Sequence, residues 1–227
     1  MDNVKAICAC QLWHLAALVA LLLMLVGYCS LRQDLLQGAL LGVSTRTWFW
    51  IAIATPVLHQ VYVWFVWRVE LYTRAFTRRF GLQTAFKAYA LGFSLLFVGR
   101  LITIILLASS SACSLSWPPL LAYGLAVLIT PPVLFLFYSV KRYFTFERAY
   151  GIDHFDPHYN EPYVKQGIFQ YTDNGMYVFG LMVLYLPGLL WLSEAALLAA
   201  AFNHAYIWVH YYFTERPDMV VIYGKAP

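Results

Sequence analysis

The sequence predicts an all-α, polytopic integral membrane protein of about six transmembrane helices, the last two forming a C-terminal helical hairpin. Three observations predict it. Of 227 residues, 62% are hydrophobic and only 11% charged, against about 25% charged in a soluble domain. A water-facing surface cannot be built from so few charges. Apolar segments recur at close to the roughly 20 residues that a helix needs to cross the hydrocarbon core. Aromatic residues make up 18% of the chain, and Trp and Tyr collect near segment ends, where interfacial belts form.

Residues 12–28 are apolar apart from His14. No small-x-small cleavage pattern follows, so this segment is read as a retained helix and not a signal peptide. Residues 31–46 form a polar connection. Residues 48–66 are the second span, with Pro56 as a kink. The next stretch is the most basic, with Arg68, Arg74, Arg78, Arg79 and Lys87 against Glu70 alone. The positive-inside rule assigns it to the cytosol. Residues 89–108 are the third span, and 109–117 carry no charge, as suits the opposite side. Residues 118–140 are the fourth span, interrupted by Pro131 and Pro132.

The longest polar connection is 141–173. Loops of that length in a compact domain are usually functional or disordered, and the dense aromatics argue against disorder. Residues 175–192 and 195–213 are the fifth and sixth spans. Ser193-Glu194 between them is too short for anything but an antiparallel hairpin. Counting from the basic loop gives six helices with both termini cytosolic. The whole chain, 1–227, is read as one transmembrane domain with its catalytic core at about 140–224.

The formal net charge is +4, which in such a chain reflects basic cytosolic loops. No basic patch with stacking aromatics suggests nucleic acid. The four cysteines, Cys8, Cys10, Cys29 and Cys113, lack zinc-like spacing, and no His cluster completes a metal site. Cys8 and Cys10 lie just before the first span, as free thiols or as palmitoylation sites.

Polar groups inside or at the ends of spans are the candidate functional residues. Glu215 stands at the cytosolic end of the sixth span, and Asp173-Asn174 precede the fifth, where such residues cap helices. Asn203, His210 and Thr214 share one helical face at spacings of seven and four. Arg100 sits near the middle of the third span, and His59 and Gln60 lie in the second. Ionisable residues at membrane depth face protein or a water-filled cavity. Arg100 therefore either pairs with a carboxylate, snorkels, or holds a lipid phosphate that approaches between helices. Asp153, His154 and His158 are candidate lid residues in the long loop.

The order Gly167, Phe169, Tyr171, Asp173, Asn174, Met176, Tyr177, then Glu215, then Tyr223-Gly224 resembles the membrane-embedded methyltransferases of the phosphatidylethanolamine N-methyltransferase and isoprenylcysteine carboxyl methyltransferase type. The resemblance covers about 140–224. It implies S-adenosyl-L-methionine as cofactor and a membrane lipid as substrate. It implies cofactor contacts from Gly167, Tyr171, Asp173, Asn174, Met176, Tyr177 and Glu215, and Gln166 beside them is a candidate contact for the cofactor's polar ends. An ammonium acceptor must lose a proton before attack, so His210 is read as the base and, with Glu215, as a catalytic residue. Arg100 and His154 are assigned to the substrate. Asp-Asn-x-Met-Tyr and the short tail after Gly224 favour a phospholipid head-group amine as acceptor. The alternatives are an isoprenylcysteine carboxyl or small thiol, and a lipid- or partner-binding membrane protein without catalysis. Gly175 stands where the family has proline, and Arg216 where it usually has a second acid. The site is expected to face the cytosol, from the endoplasmic reticulum in a eukaryote or the inner membrane in a bacterium.

Overall fold

A computed structural model describes residues 3–159, 161–162 and 164–224. The last tail residues, 225–227, therefore lie outside the described residues. The chain opens with a short helix, α1 (Asn3–Ile7), and a long apolar one, α2 (Gln11–Leu31). A small antiparallel hairpin follows, β1 (Ala39–Leu40) on β2 (Val43–Ser44). It leads into α3 (Thr45–Thr73), capped by Ser44, whose Oγ accepts from the Thr47 N–H at 3.2 Å. Next come α4 (Ala75–Phe80), α5 (Leu82–Ser110) and α6 (Pro119–Ser139). Pro119 begins α6, where its missing N–H has no helical partner to lose.

After α6 the chain widens into a π-helical turn, Val140–Phe144, followed by α7 (Phe146–Ala149) and a 3₁₀ turn at Ile152–His154. The remaining helices are α8 (Gly175–Val178), α9 (Tyr185–Leu190), α10 (Glu194–His210) and α11 (Arg216–Tyr223). A second π turn, Tyr211–Glu215, joins the last two.

Four helical segments are long and apolar enough to cross a membrane: Asn3–Leu31, Thr45–Thr73, Leu82–Ser110 and Pro119–Phe144. They present Leu23, Leu95, Val127 and Leu128 outward, a surface suited to a bilayer. The segment expected as a fifth span, residues 175–192, is helical only over Gly175–Leu190, which is shorter and broken into α8, a 3₁₀ stretch and α9. Even wholly helical it would reach about 24 Å, less than the roughly 30 Å hydrocarbon core. Gly175, Gly180 and Pro187-Gly188 punctuate it, and both residue types disfavour a continuous helix. The sixth expected segment is α10, 17 residues long, which runs on through the π turn into α11. Ser193 caps it, accepting from the Ala196 N–H at 3.1 Å.

α10 is the central post. Its face of Ala195, Ala196, Ala199 and Ala200 is fully buried, and such small residues let neighbouring backbones approach closely. α2, α3, α5 and α9 all pack on it. The N-terminal helix is tied in by polar contacts: His14 Nε2 lies 2.9 Å from the Tyr206 hydroxyl, and the Gln11 amide donates to the Phe213 carbonyl and Thr214 hydroxyl, each at 3.2 Å. α5 and α6, although consecutive, scarcely touch.

Candidate active site

The π turn at Tyr211–Glu215 begins the site, and Pro217 accounts for part of its shape. Proline has no N–H to offer the carbonyl four residues earlier, so Phe213 C=O is released from the helix. That carbonyl accepts from Gln11 and from Arg68 Nη2, the latter at 3.2 Å. Arg68 also donates to the carbonyls of Ile7, Ala9 and Thr214. Its Nε lies 3.0 Å from Asp218 Oδ1. Both partners are almost wholly buried (1% and 0% exposed). A buried charge persists only when paired and hydrogen-bonded, and this pair binds α3 to α11 and both to the N-terminus.

Asp218 reaches further, its Oδ2 lying 3.6 Å from His154 Nε2. His154 Nδ1 meets Asp153 Oδ1 at 3.0 Å, and Asp153 Oδ2 accepts from the Tyr223 hydroxyl at 3.0 Å. Burial would lower the His154 pKa, but the two carboxylates outweigh it and raise it to about 9. The imidazolium is sandwiched against Trp67, ring centroids 4.0 Å apart and nearly parallel, a favourable place for a cation. Gly151 makes that stack possible. It sits at φ +79°, and a Cβ there would fall 2.5 Å from Trp67 Cζ2.

Glu215 points from the π turn toward Tyr177, whose hydroxyl donates to Oε2. The two residues stand where two cavities meet. The first is the more polar of the two, about 90 Å³, and is lined by Asp153, His154, Asp173, Asn174, Tyr211 and Tyr223 together with Trp67, Phe169 and other apolar groups. The second is apolar, about 160 Å³, running between α3, α5, α6 and α10. Trp67, Ala149, Met176, Tyr177 and Glu215 line both. Glu215 is enclosed by protein, and its accessible edge faces these cavities. Burial raises its pKa to about 8, the His154 charge opposing and Asp153 and Asp218 adding to the rise. The two π turns both contribute walls, through Val140, Phe144, Tyr211 and Glu215; such turns recur at functional sites.

The structure thus brings together Asp173, Asn174, Met176, Tyr177, Glu215 and His154 around the polar cavity. It gathers Arg100 and His210 around the apolar one. Three expected cofactor residues lie elsewhere. Gln166 is exposed and lines neither cavity. Tyr171 is 74% exposed and also points away. Gly167 does make a tight turn (φ +60°), but against α6: a Cβ would lie 2.5 Å from Ser139 Oγ. The chain returns there through a 3₁₀ turn, Gly167–Gln170, which buries Ile168 and Phe169 and so turns Gln166 and Tyr171 outward. His154 is no exposed lid residue but a fully buried one. Asn174 leads α8 without a side-chain cap bond. Asp173 pairs with Lys165 at the rim.

Arg68, Asp218, Trp67 and Tyr211 were not singled out from the sequence as site residues. Asp218 carried the clearest signal, as a second acid near the chain's end in a protein with 11 acids in all. Arg216, by contrast, is exposed and lines neither cavity, so its charge is kept from the site. Among the described residues, no group of three or more His, Cys, Asp or Glu could hold a metal ion.

A sequence profile described as phospholipid methyltransferase matches residues 120–226. That segment, just under half of the chain, is similar to the phospholipid methyltransferase family. It runs from α6 to the C-terminal region and supplies Asp173–Tyr177, Glu215 and both π turns. The matched segment does not contain α3 or α5, so Trp67, Arg68 and Arg100 come from outside it. No match was found among curated proteins or among solved structures. The match supports a membrane methyltransferase.

Proposed function

We propose that this protein transfers a methyl group from S-adenosylmethionine to a membrane lipid, with a phospholipid head-group amine as acceptor and the site facing the cytosol. One observation carries the proposal: the Tyr177–Glu215 contact stands at the junction of a polar and an apolar cavity. A water-soluble cation and a lipid can meet there without either crossing the other's surroundings. The basic loop carrying Arg74, Arg78 and Arg79 follows α3 at this same end, and the positive-inside rule favours the cytosolic assignment.

The polar cavity suits the cofactor's chemistry. The Glu215 carboxylate, the rim acid Asp173 and the faces of Tyr177 and Tyr211 favour a cation and its ammonium group. Asn174 offers an amide to hydroxyls. When bound, S-adenosylmethionine supplies an activated methyl group. The chain's own contribution is alignment, a large share of the barrier in such a displacement, and exclusion of water by Met176, Phe169 and Trp67. An ammonium acceptor must lose a proton before it can attack. His210 is buried in the apolar cavity, and neither ring nitrogen has a partner among the described residues. Its free nitrogens support it as the acceptor of that proton.

The test is incubation of purified protein with methyl-labelled S-adenosylmethionine and a total lipid extract. Label on a phospholipid head-group nitrogen is expected. Label in a base-labile methyl ester would move the acceptor to a carboxyl, and absence of transfer to any lipid would overturn the proposal. Cofactor binding should also depend on pH. A cation binds the ionised Glu215, so affinity is expected to rise by up to about tenfold per pH unit toward the apo pKa of about 8, then level off. Titration calorimetry between pH 6 and 9 measures this, and a flat profile would remove Glu215 from the cation's contact.

A further inference from the structure

The apolar cavity contains a guanidinium with nothing to bind. Arg100 is 2% exposed, yet its Nε and Nη2 have no hydrogen-bond partner among the described residues, and no carboxylate pairs with it there. It lines the cavity together with His59 and His210, whose four ring nitrogens are equally unpartnered. Two of the three positions open to a mid-span arginine, pairing and snorkelling, are therefore not taken. A lone buried charge is strongly unfavourable, so a ligand that brings the missing anion is the physical complement of this cavity.

The walls indicate what carries the anion. Phe93, Phe97 and Arg100 come from α5, Leu136 and Phe137 from α6, and Val140 from the π turn that continues it. These two helices scarcely touch, so the cavity occupies the gap between them. Phe137 stays partly exposed on the lipid-facing side. The free Nε and Nη2 form one edge of the guanidinium, the fork that grips two oxygens of a phosphate. Ile207 and Glu215 both line the cavity, and eight helical residues span about 12 Å. A lipid reaching in from the side can thus have its phosphate on Arg100 and its head group directed toward Glu215.

We propose that the gap between α5 and α6 is a lateral portal, and that Arg100, flanked by His59 and His210, is the anchoring site for the phosphate of a phospholipid. The inference rests on the methyltransferase reading for its direction toward Glu215, but it is tested without methyl transfer. Delipidated protein in detergent is titrated with a short-chain phosphatidylethanolamine and with the diacylglycerol of the same chains, following the fluorescence of Trp67 and the other tryptophans. Inorganic phosphate is added as competitor in a separate arm.

Wild type should bind the phospholipid at least tenfold tighter than the diacylglycerol. Arg100→Met should abolish that preference, Arg100→Lys should retain part of it, and S-adenosylmethionine affinity should stay within threefold in both. Equal affinity of wild type for the two lipids, or an unchanged preference in Arg100→Met, overturns the anchor. Displacement of the phospholipid by inorganic phosphate at equal concentration overturns the lipid as the anion's carrier. Should Arg100→Met fail to fold, the Lys variant and His59→Phe decide by the same ratio. Failure of wild type to bind S-adenosylmethionine would strike the methyltransferase reading and leave the lipid ratio standing on its own.

Discussion

Glu215→Gln is expected to weaken S-adenosylmethionine binding by about a hundredfold while leaving the protein folded. The first half follows from charge. Removing one partner of an enclosed, hydrogen-bonded ion pair costs about 2–5 kcal/mol, and about 3 kcal/mol is roughly a hundredfold in Kd. The second half follows from the carboxyl's environment. Burial holds its pKa near 8, so at neutral pH the cofactor-free protein mostly carries the protonated acid, which Gln resembles in shape and polarity. The sign of the linkage is definite. A group whose folded pKa is raised stabilises fully below its unfolded pKa, and that contribution is lost as pH rises through the folded value. Wild type loses this contribution progressively between the ordinary carboxyl pKa and about 8, so the variant should melt above wild type already at pH 6.5 and by a wider margin at pH 9, with a ΔΔG of 1 kcal/mol moving Tm by about 2–4 °C in a chain this size. Calorimetry with the cofactor and melting at the two pH values check both halves. Unchanged cofactor affinity would take Glu215 out of the site.

Asp218→Asn should do the reverse, with a large loss of stability. Arg68 is 1% exposed and Asp218 is its only carboxylate partner among the described residues. Breaking a buried pair by neutralising one member costs about 3–5 kcal/mol, which corresponds to a fall in Tm of about 10 °C. The loss extends beyond the pair. His154 keeps only Asp153 to hold its charge, and the packing of Trp67 over Gly151 loosens. Met219 and Tyr223, carried by α11, line the polar cavity, so cofactor affinity should fall with stability. The double variant Arg68→Met/Asp218→Leu removes both charges at similar volume and should recover much of the melting temperature. A single variant within 2 °C of wild type would show that the pair does not hold α11 to α3.

Several residues that line the two cavities were conspicuous in the sequence, and the reason differs from residue to residue. Glu215 and Tyr177 stand out because an acid or a polar turn at the end of an apolar segment is conspicuous, and because the two fall at the same end of adjacent segments. Gln166 and Tyr171 were equally conspicuous, yet they face outward. Whether a loop residue turns in or out depends on the 3₁₀ turn at Gly167–Gln170 and its packing on Ser139, which no spacing along the chain reveals. Arg68 read as one more cytosolic charge. Its true partner lies 150 positions away.

Alone, the amino-acid order determined the solvent: too few charges for water, and long apolar runs that must be helical because a bilayer offers the backbone no hydrogen bonds. It also determined where acids and imidazoles interrupt those runs. The three-dimensional arrangement decided the rest: the broken segment at Gly175–Leu190, the pairing of Arg68 with Asp218, the unpaired state of Arg100, and the meeting of two cavities at Glu215. Hydropathy is a sum over neighbours and survives reading in one dimension. The fate of a buried charge hangs on which distant group arrives within 3–4 Å, and only folding settles that.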